Sequence, residues 1–458
     1  MNNLLSVLGL ILFVNISALA ATVNDNIVKS TKLFHSTAHS TTTYHVSGVD
    51  DGTYDILISP NEFDQLSHLS VSLKESGEQL PYTWLNGDSY VQPYNFKRLA
   101  VQLPPNTPQL TLVLSISLNN PSTPLPSQLT QDDLAYSLSF KTYTHVVTPY
   151  HTNEMRVKVR APTSKIHRYG MTHDDSKTTK NGGSMVYGPW MDVAPYSIPT
   201  DHIEILYEAA GPRLKYEVSE RSAQVSHWGN VVSFRDDIVV RNNGPSLKGQ
   251  FTRLTHQAQT FLNVLPTNIA TMLSVRLPAL SEEVFFVDQI GNVTTSHYKQ
   301  GDGHSSHSLL QLKPRYPLMG GWKYSFSIGW ENSLRFAAKL ARDGTTRLSI
   351  PFSSTPEDVA VDRHTTRIIL PEGAQVHSVY VPFEVDVQYE TTTSYLDTIG
   401  RNTVVLSKHN TSDAHNGDVT IVYSLSLFNA LRKPLAVAAV AFALFSAATL
   451  LRRINTRI

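Results

Sequence analysis

Leu110-TLVLSIS-Leu118 decides the fold class. A leucine or isoleucine stands at every second position, with Thr, Val or Ser between. An extended chain puts that set on one face, whereas a helix would scatter it around the axis. The period of two recurs at Tyr54-DILI-Ser59, Leu134-AYSLS-Phe140, Met155-RVKV-Arg160, Trp322-KYSFSI-Gly329 and Val419-TIVYSL-Ser426. Clusters of Pro, Gly and Asn separate these runs. The chain is therefore expected to be mainly β, folded as β-sandwich-like domains of antiparallel sheets. Segments 119–128, 173–184 and 301–308 read as polar loops. One helix is predicted over Ser333–Arg342, where Leu334, Ala337 and Ala341 share a face.

At 458 residues the chain is long enough for two or three domains. Leu118-Asn119-Asn120 is followed, after a loop and a strand, by Arg156-VKVRAP-Thr163. Trp330-Glu331-Asn332 is followed at similar distance by Arg367-IILPEG-Ala374. This echo suggests two related tandem domains, expected at 21–225 and 226–433. Lys plus Arg and Asp plus Glu are both 38, giving zero net charge. That argues against a nucleic-acid partner, which asks for a basic surplus. The absence of cysteine removes disulfides, thiol catalysis and thiolate metal sites.

The two ends carry apolar segments. Residues 1–20 have an apolar run from Leu4 to Val14 and small residues at Ala18 and Ala20, the pattern of a signal peptide cleaved after Ala20 or Ala21. An uncleaved anchor would need a longer run. Near the other end, 434–451 are 18 residues without a charge, about 27 Å of helix and enough to cross a thin bilayer. Arg432 and Lys433 precede this stretch; Arg452, Arg453 and Arg457 follow it. A cleaved signal makes the chain a type I single-pass protein, with 21–433 in the lumen and 452–458 as a short cytosolic tail. A glycolipid-anchor signal also ends in an apolar tail, but the cations after this one oppose that reading. Ala439, Ala443 and Ala447 stand four apart, on a face where another helix can approach closely; alanine as filler is the competing reading.

Motifs of catalysis are missing. There is no His-Glu-x-x-His, no Gly-x-Ser-x-Gly and no phosphate loop. His304 and His307 in one loop, and His35 and His39, lack a carboxylate to complete a metal site. The acidic neighbours Asp132-Asp133, Asp174-Asp175 and Asp236-Asp237 point to opposite faces if they lie on strands. Glu384-Val385-Asp386 is the nearest thing to a paired-acid site. No catalytic, cofactor or metal residue is assigned. Asn292-Val293-Thr294 and Asn410-Thr411-Ser412 are acceptors for N-linked glycans, expected on surface loops.

Seven further stretches carry a resemblance. They are Tyr187-GPW-Met191 with Asp192-VAPYS, Val225-SHWGN-Val231, Leu247-KGQFTR-Leu254, Val287-DQIGNVTTSH-Tyr298, Pro314-RYPLMGGWK-Tyr324, Ile369-LPEG-Ala374 and Tyr395-LDTIG-Arg401. In this order they resemble the ribophorin I family, a subunit of the oligosaccharyltransferase of the endoplasmic reticulum. The family's reaction moves a preassembled glycan from dolichyl diphosphate to Asn in Asn-x-Ser/Thr, and its active site lies in a separate multi-spanning subunit. The resemblance implies a non-catalytic lumenal subunit in the endoplasmic-reticulum membrane. Its expected partners are the catalytic subunit, the other subunits and nascent polypeptides, which it would brace or present. It also implies glycosylation at Asn292. Animal members carry a long cytosolic domain that this chain lacks after 451, so ribosome contact is not carried over. Two other classes stay open: a lumenal glycosidase or hydrolase with unmarked carboxylates, and a cell-surface adhesion or receptor ectodomain.

Overall fold

The computed structural model describes residues 22–48, 52–85, 95–105, 109–171, 177–301, 307–394 and 397–453. The expected signal segment 1–20, with Ala20 and Ala21, lies outside them, as do Asp174, Asp175 and His304.

The alternating stretch forms strand Gln109–Asn119, with Leu110, Leu112, Leu114, Ile116 and Leu118 buried. It runs antiparallel to Thr37–Ser47 on one side and to Leu66–Leu73 on the other. Beyond Thr37–Ser47 comes Val23–Leu33, then His151–Arg160 parallel to it, then the hairpin of Ser184–Val193 and Thr178–Asn181. These seven strands make one sheet. A three-stranded sheet (Thr53–Ile58, Lys97–Gln102, Tyr82–Leu85) and a four-stranded one complete the first unit. The four-stranded sheet contains Ser122–Leu125, Ser137–Tyr143, Ile166–Arg168 and His202–Glu208.

The second half repeats this plan strand for strand. Leu214–Ser226 takes the place of Val23–Leu33, and Val231–Asn242 that of Thr37–Ser47. Lys323–Ser333 replaces Gln109–Asn119, flanked at the edge by Glu282–Asp288. Ala360–Glu372 replaces His151–Arg160 and again supplies the parallel pairing. Asp386–Thr392 and Arg401–Thr411 form the last hairpin. Both small sheets recur in the same order. Asn119 and Asn332, and Arg156 and Arg367, stand on equivalent strands, so the echo in the sequence is a repeat of topology.

Buried apolar side chains gather into two large cores, one drawn from Ile27 to Ala209 and the other from Tyr216 to Tyr423. The units thus meet at 210–213. The expected division at 225/226 falls instead at the end of Leu214–Ser226, a strand hydrogen-bonded along its length within the second unit. Alternation identifies a strand but not the sheet it joins. Other expectations change, the strand Thr178–Asn181 within the expected loop 173–184 among them. Of Ser333–Arg342 only Leu334–Ala337 is helical; Ala338–Leu340 pairs with Thr346–Leu348 as an edge strand. The loop 119–128 contains Ser122–Leu125, paired with Ser137–Phe140.

Polar side chains knit the two units together. The Asp358 carboxylate accepts the backbone N–H of His35 (2.9 Å), Ser36 (2.7 Å) and Thr37 (3.1 Å), and lies 2.6 Å from His35 Nδ1. Ser36 Oγ donates to the Leu214 carbonyl and Arg213 to Asn120 Oδ1. Ser67 and Ser412 hydroxyls meet at 2.9 Å. Asn410 sits in the same seam: its Nδ2 donates to Leu66 O at 2.6 Å, and its Oδ1 accepts from Asn119 Nδ2 at 2.8 Å.

Candidate functional site beneath the apolar helix

The C-terminal helix runs from Leu427 to Arg453, 27 residues or about 40 Å. Its hydropathy and length suit a membrane span. It starts seven residues before the expected 434–451 because its first two turns are fastened to the second unit. Pro434 lies inside it. Proline has no N–H, so the carbonyl of Ala430, four residues back, loses its helical donor. Trp228 fills the place: its indole N–H donates to Ala430 O at 2.9 Å. Asn429 Nδ2 donates to Gly373 O at 2.9 Å.

The cations ahead of the span have partners as well. Lys433 Nζ is 2.7 Å from Asp397 Oδ1, and the Asp397 side chain is completely buried. Asp397 also accepts from Ser394 N–H and Arg401 Nε. Burial alone would raise its pKa; the Lys433 ammonium, the Ser394 N–H and Arg401 outweigh that and hold it below the usual carboxylate range. Buried Glu372 accepts from the N–H and hydroxyl of Thr398 and the N–H of Ile399, fixing the Asp397 loop against strand Ala360–Glu372. Arg432 reaches Thr398 Oγ1 at 3.4 Å. Three stretches far apart in sequence, 225–231, 369–374 and 397–401, therefore meet under one helix.

The opposite end of the second unit gathers three other stretches. Asp288 pairs with Arg315, accepts from the N–H groups of Ile290 and Gly291, and takes the Tyr324 hydroxyl at 3.1 Å. Arg315 is the main reason its pKa falls to about 2. Gly320 needs to be glycine, since a Cβ there would collide with the Pro245 carbonyl. Leu247 N–H donates to Gly320 O at 3.1 Å. Asn292, at this end, is exposed and follows the Asp288–Gly291 turn.

Between the units lies a cleft of about 640 Å³. Phe63, Tyr82, Trp84 and Phe383 line it, with Lys408 and His415. The edge strand Leu66–Leu73 forms one wall. His415 is buried, and burial, then His68 and Lys408, push its pKa down to about 3. His364, on strand Ala360–Glu372 and buried, is pushed down to about 4 by burial and by the Arg221 guanidinium. Both imidazoles stay neutral in the folded chain where an unfolded one, near 6.5, takes up a proton. The unfolded state then binds more protons, so stability rises with pH across that window. Acidifying from pH 7 to pH 5 should remove on the order of 1–2 kcal/mol per imidazole. Urea unfolding at the two pH values checks this, and equal midpoints would contradict it.

Among the described residues, the remaining acids and histidines singled out in the sequence do not converge. Asp236 faces inward to Arg221 and Asp237 outward to Arg235, as neighbours on a strand must. Glu384 precedes strand Asp386–Thr392 and offers its backbone carbonyl to Lys408; Asp386 is exposed and accepts from Gln388. His35 serves the seam and His39 bonds Ser117. His307 begins strand His307–Leu312. Among the described residues, no three His, Asp or Glu side chains are placed to hold a metal ion.

The ribophorin I family model matches residues 22–452. The chain belongs to the ribophorin I family. Among relatives of this ribophorin I chain, dolichyl-diphosphooligosaccharide–protein glycosyltransferase subunit 1B of Oryza sativa subsp. japonica is 31% identical over 341 residues, 74% of this chain and 69% of that one. Subunit 1A of Arabidopsis thaliana is 30% identical over 390 residues, 83% of this chain and 61% of its own. Subunit 1 of Caenorhabditis elegans is 27% identical over 339 residues, covering 74% of this chain and 56% of the relative. The chain thus spans 56% to 69% of the length of these relatives.

In this ribophorin I chain Ala439, Ala443 and Ala447 are exposed on the helix. The reading of the sequence missed Trp228, Asp397 and the Asn429 contact as helix fastenings. One signal was present: a proline inside an otherwise uninterrupted helix leaves a carbonyl that needs a donor.

Proposed function

We propose that this chain is a non-catalytic subunit of an oligosaccharyltransferase complex in the endoplasmic-reticulum membrane, with both β units in the lumen and residues after 451 in the cytosol. The observation that carries the reading is the ribophorin I match along 22–452. The physical contents agree with it. A two-unit body is fastened to its apolar helix by hydrogen bonds and an ion pair to a buried carboxylate, which suits a part that holds others in register. The partners are a catalytic multi-spanning subunit, the other subunits and nascent polypeptides. The cleft beside Leu66–Leu73 offers aromatic walls to an extended acceptor segment. Holding that segment near the active site of the partner raises its effective concentration. Gentle detergent extraction and pull-down of the tagged chain should bring the multi-spanning transferase subunit along. Recovery of the chain without it would overturn the proposal.

The two sequons play different parts. Asn292 is exposed and carries the glycan, whereas Asn410 holds the seam, and a glycan there would have to be added before the seam closes. Asn292→Gln should abolish the band shift produced by an endoglycosidase. An unchanged shift in that variant would put the glycan elsewhere, Asn410 first.

The alanine face of the helix receives a partner helix. Replacing Ala439, Ala443 and Ala447 by Leu keeps the span apolar but adds bulk on one face. Insertion should survive while recovery of the other subunits falls several-fold. Normal assembly of the triple variant would make those alanines filler.

A further inference from the structure

The end of the second unit from which the helix departs carries exposed apolar side chains with cations between them. Leu340 pairs with Thr346, and Thr346 with Tyr423, so all three stand on one row of one sheet. Tyr423 lies four residues before the helix starts at Leu427. The turn 341–345 therefore sits at the helix end of the sheet. Phe336 is 73% exposed and Leu340 78% exposed. Leu334 N–H donates to Asn230 O at 2.9 Å, beside Trp228, which is 67% exposed and bonded to the helix. Leu427 and Phe428 of the first helical turn are exposed too. Segment 333–347 holds Arg335, Lys339, Arg342 and Arg347 against one acid, Asp343, whose carboxylate takes the N–H and hydroxyl of Thr345.

Large apolar side chains left in water gain nothing for the fold, and an apolar patch of this kind marks a surface that something covers. Its continuity with a membrane-spanning helix selects the cover. Apolar side chains dipping into a headgroup layer, flanked by Lys and Arg at the level of the phosphates and by Trp at the interface, are how a surface segment rests on lipid. We propose that the segment Ser333–Thr345 lies in the headgroup layer of the leaflet from which the helix rises. Phe336 and Leu340 reach the acyl boundary, and Arg335, Lys339 and Arg342 meet lipid phosphates. The inference rests on the reading that Leu427–Arg453 spans the bilayer. Together with the fastenings at Trp228 and Asp397, this second contact fixes the tilt of the lumenal body over the membrane.

The chain has no cysteine, so a single introduced one can carry a nitroxide without background. Four full-length variants, Phe336→Cys, Leu340→Cys, Phe261→Cys and Ala443→Cys, are labelled and reconstituted in phospholipid vesicles. Phe261 is the control: it is 89% exposed but follows the far end of strand Val231–Asn242, which is itself about 40 Å long. Accessibility is read with oxygen, which concentrates in lipid, and with a nickel chelate, which stays in water. Labels at 336 and 340 should show an oxygen-to-chelate ratio several-fold above that at 261, in the direction of the label at 443. If 336 and 340 match 261 while 443 reports lipid, the proposal is wrong and the spanning helix stands. If 443 also matches 261, the span fails and the proposal with it. Shielding of 336 and 340 from both reagents would put protein over the hairpin and likewise overturn the proposal.

Discussion

Asp358→Ala should cost the folded chain about 3 kcal/mol or more. One carboxylate at this position accepts three successive backbone N–H groups, those of His35, Ser36 and Thr37, across the seam between the units. Removing it leaves three donors at a largely buried junction, and each unsatisfied buried donor costs about 1–3 kcal/mol. Part of the loss has another origin: Asp358 has φ +60°, a conformation Ala adopts poorly and Asn adopts readily. Asp358→Asn separates the two effects, because its amide oxygen still accepts and its backbone is content. The Asn variant should lose less than half as much as the Ala variant. Protease cleavage at 209–213 should rise in the Ala variant as the units part. Equal unfolding midpoints for Ala variant and parent would mean the seam is held elsewhere.

Arg221→Met should be the most damaging single change in the second unit, at about 3–5 kcal/mol. The Arg221 guanidinium is completely buried. It makes two bonds to Asp236, at 2.7 and 2.6 Å, and one each to Pro351 O and Ser354 Oγ. It also lies over the rings of Trp330 (5.2 Å) and Phe234 (5.8 Å). Methionine fills much of the volume but strands the Asp236 carboxylate without a counter-charge. The double variant Arg221→Met/Asp236→Leu removes both charges and should recover much of the loss, since an apolar pair of similar volume often matches a buried ion pair. Urea unfolding followed by circular dichroism gives all three values. A single variant as stable as the double one would show that the stranded carboxylate is not the cause.

The strands were legible because their signal is local. Leu110 to Leu118 alternates, and the buried set in the structure is the set the alternation marks. The repeat was legible through its ends, where Asn119 and Asn332 close equivalent strands. The junction at 210–213 was not, because Leu214–Ser226 alternates like any other strand and only its pairing shows which core it serves. The helix platform was hidden for a related reason. Arg432 and Lys433 look like ordinary flanking cations, yet Lys433 answers a carboxylate on a loop between two strands. Asn410 is plain as a sequon, while the bond from its amide to Leu66 O joins residues at opposite ends of the chain. Long-range side-chain partners of this sort leave no periodicity to read.

Whether this chain supports glycan transfer or performs it is tested most directly by comparing the transferase complex purified from cells with and without the chain. Both preparations are offered a short flexible sequon peptide and a sequon within a polypeptide that folds quickly. On the proposed reading, activating the carboxamide nitrogen and steadying the departing diphosphate fall to another subunit. The expected result is transfer to the peptide within a few-fold of normal and a clear fall in occupancy of the folding substrate. Loss of transfer to the short peptide, from a complex that still contains its multi-spanning subunit, would contradict the non-catalytic reading and place reacting groups in this chain.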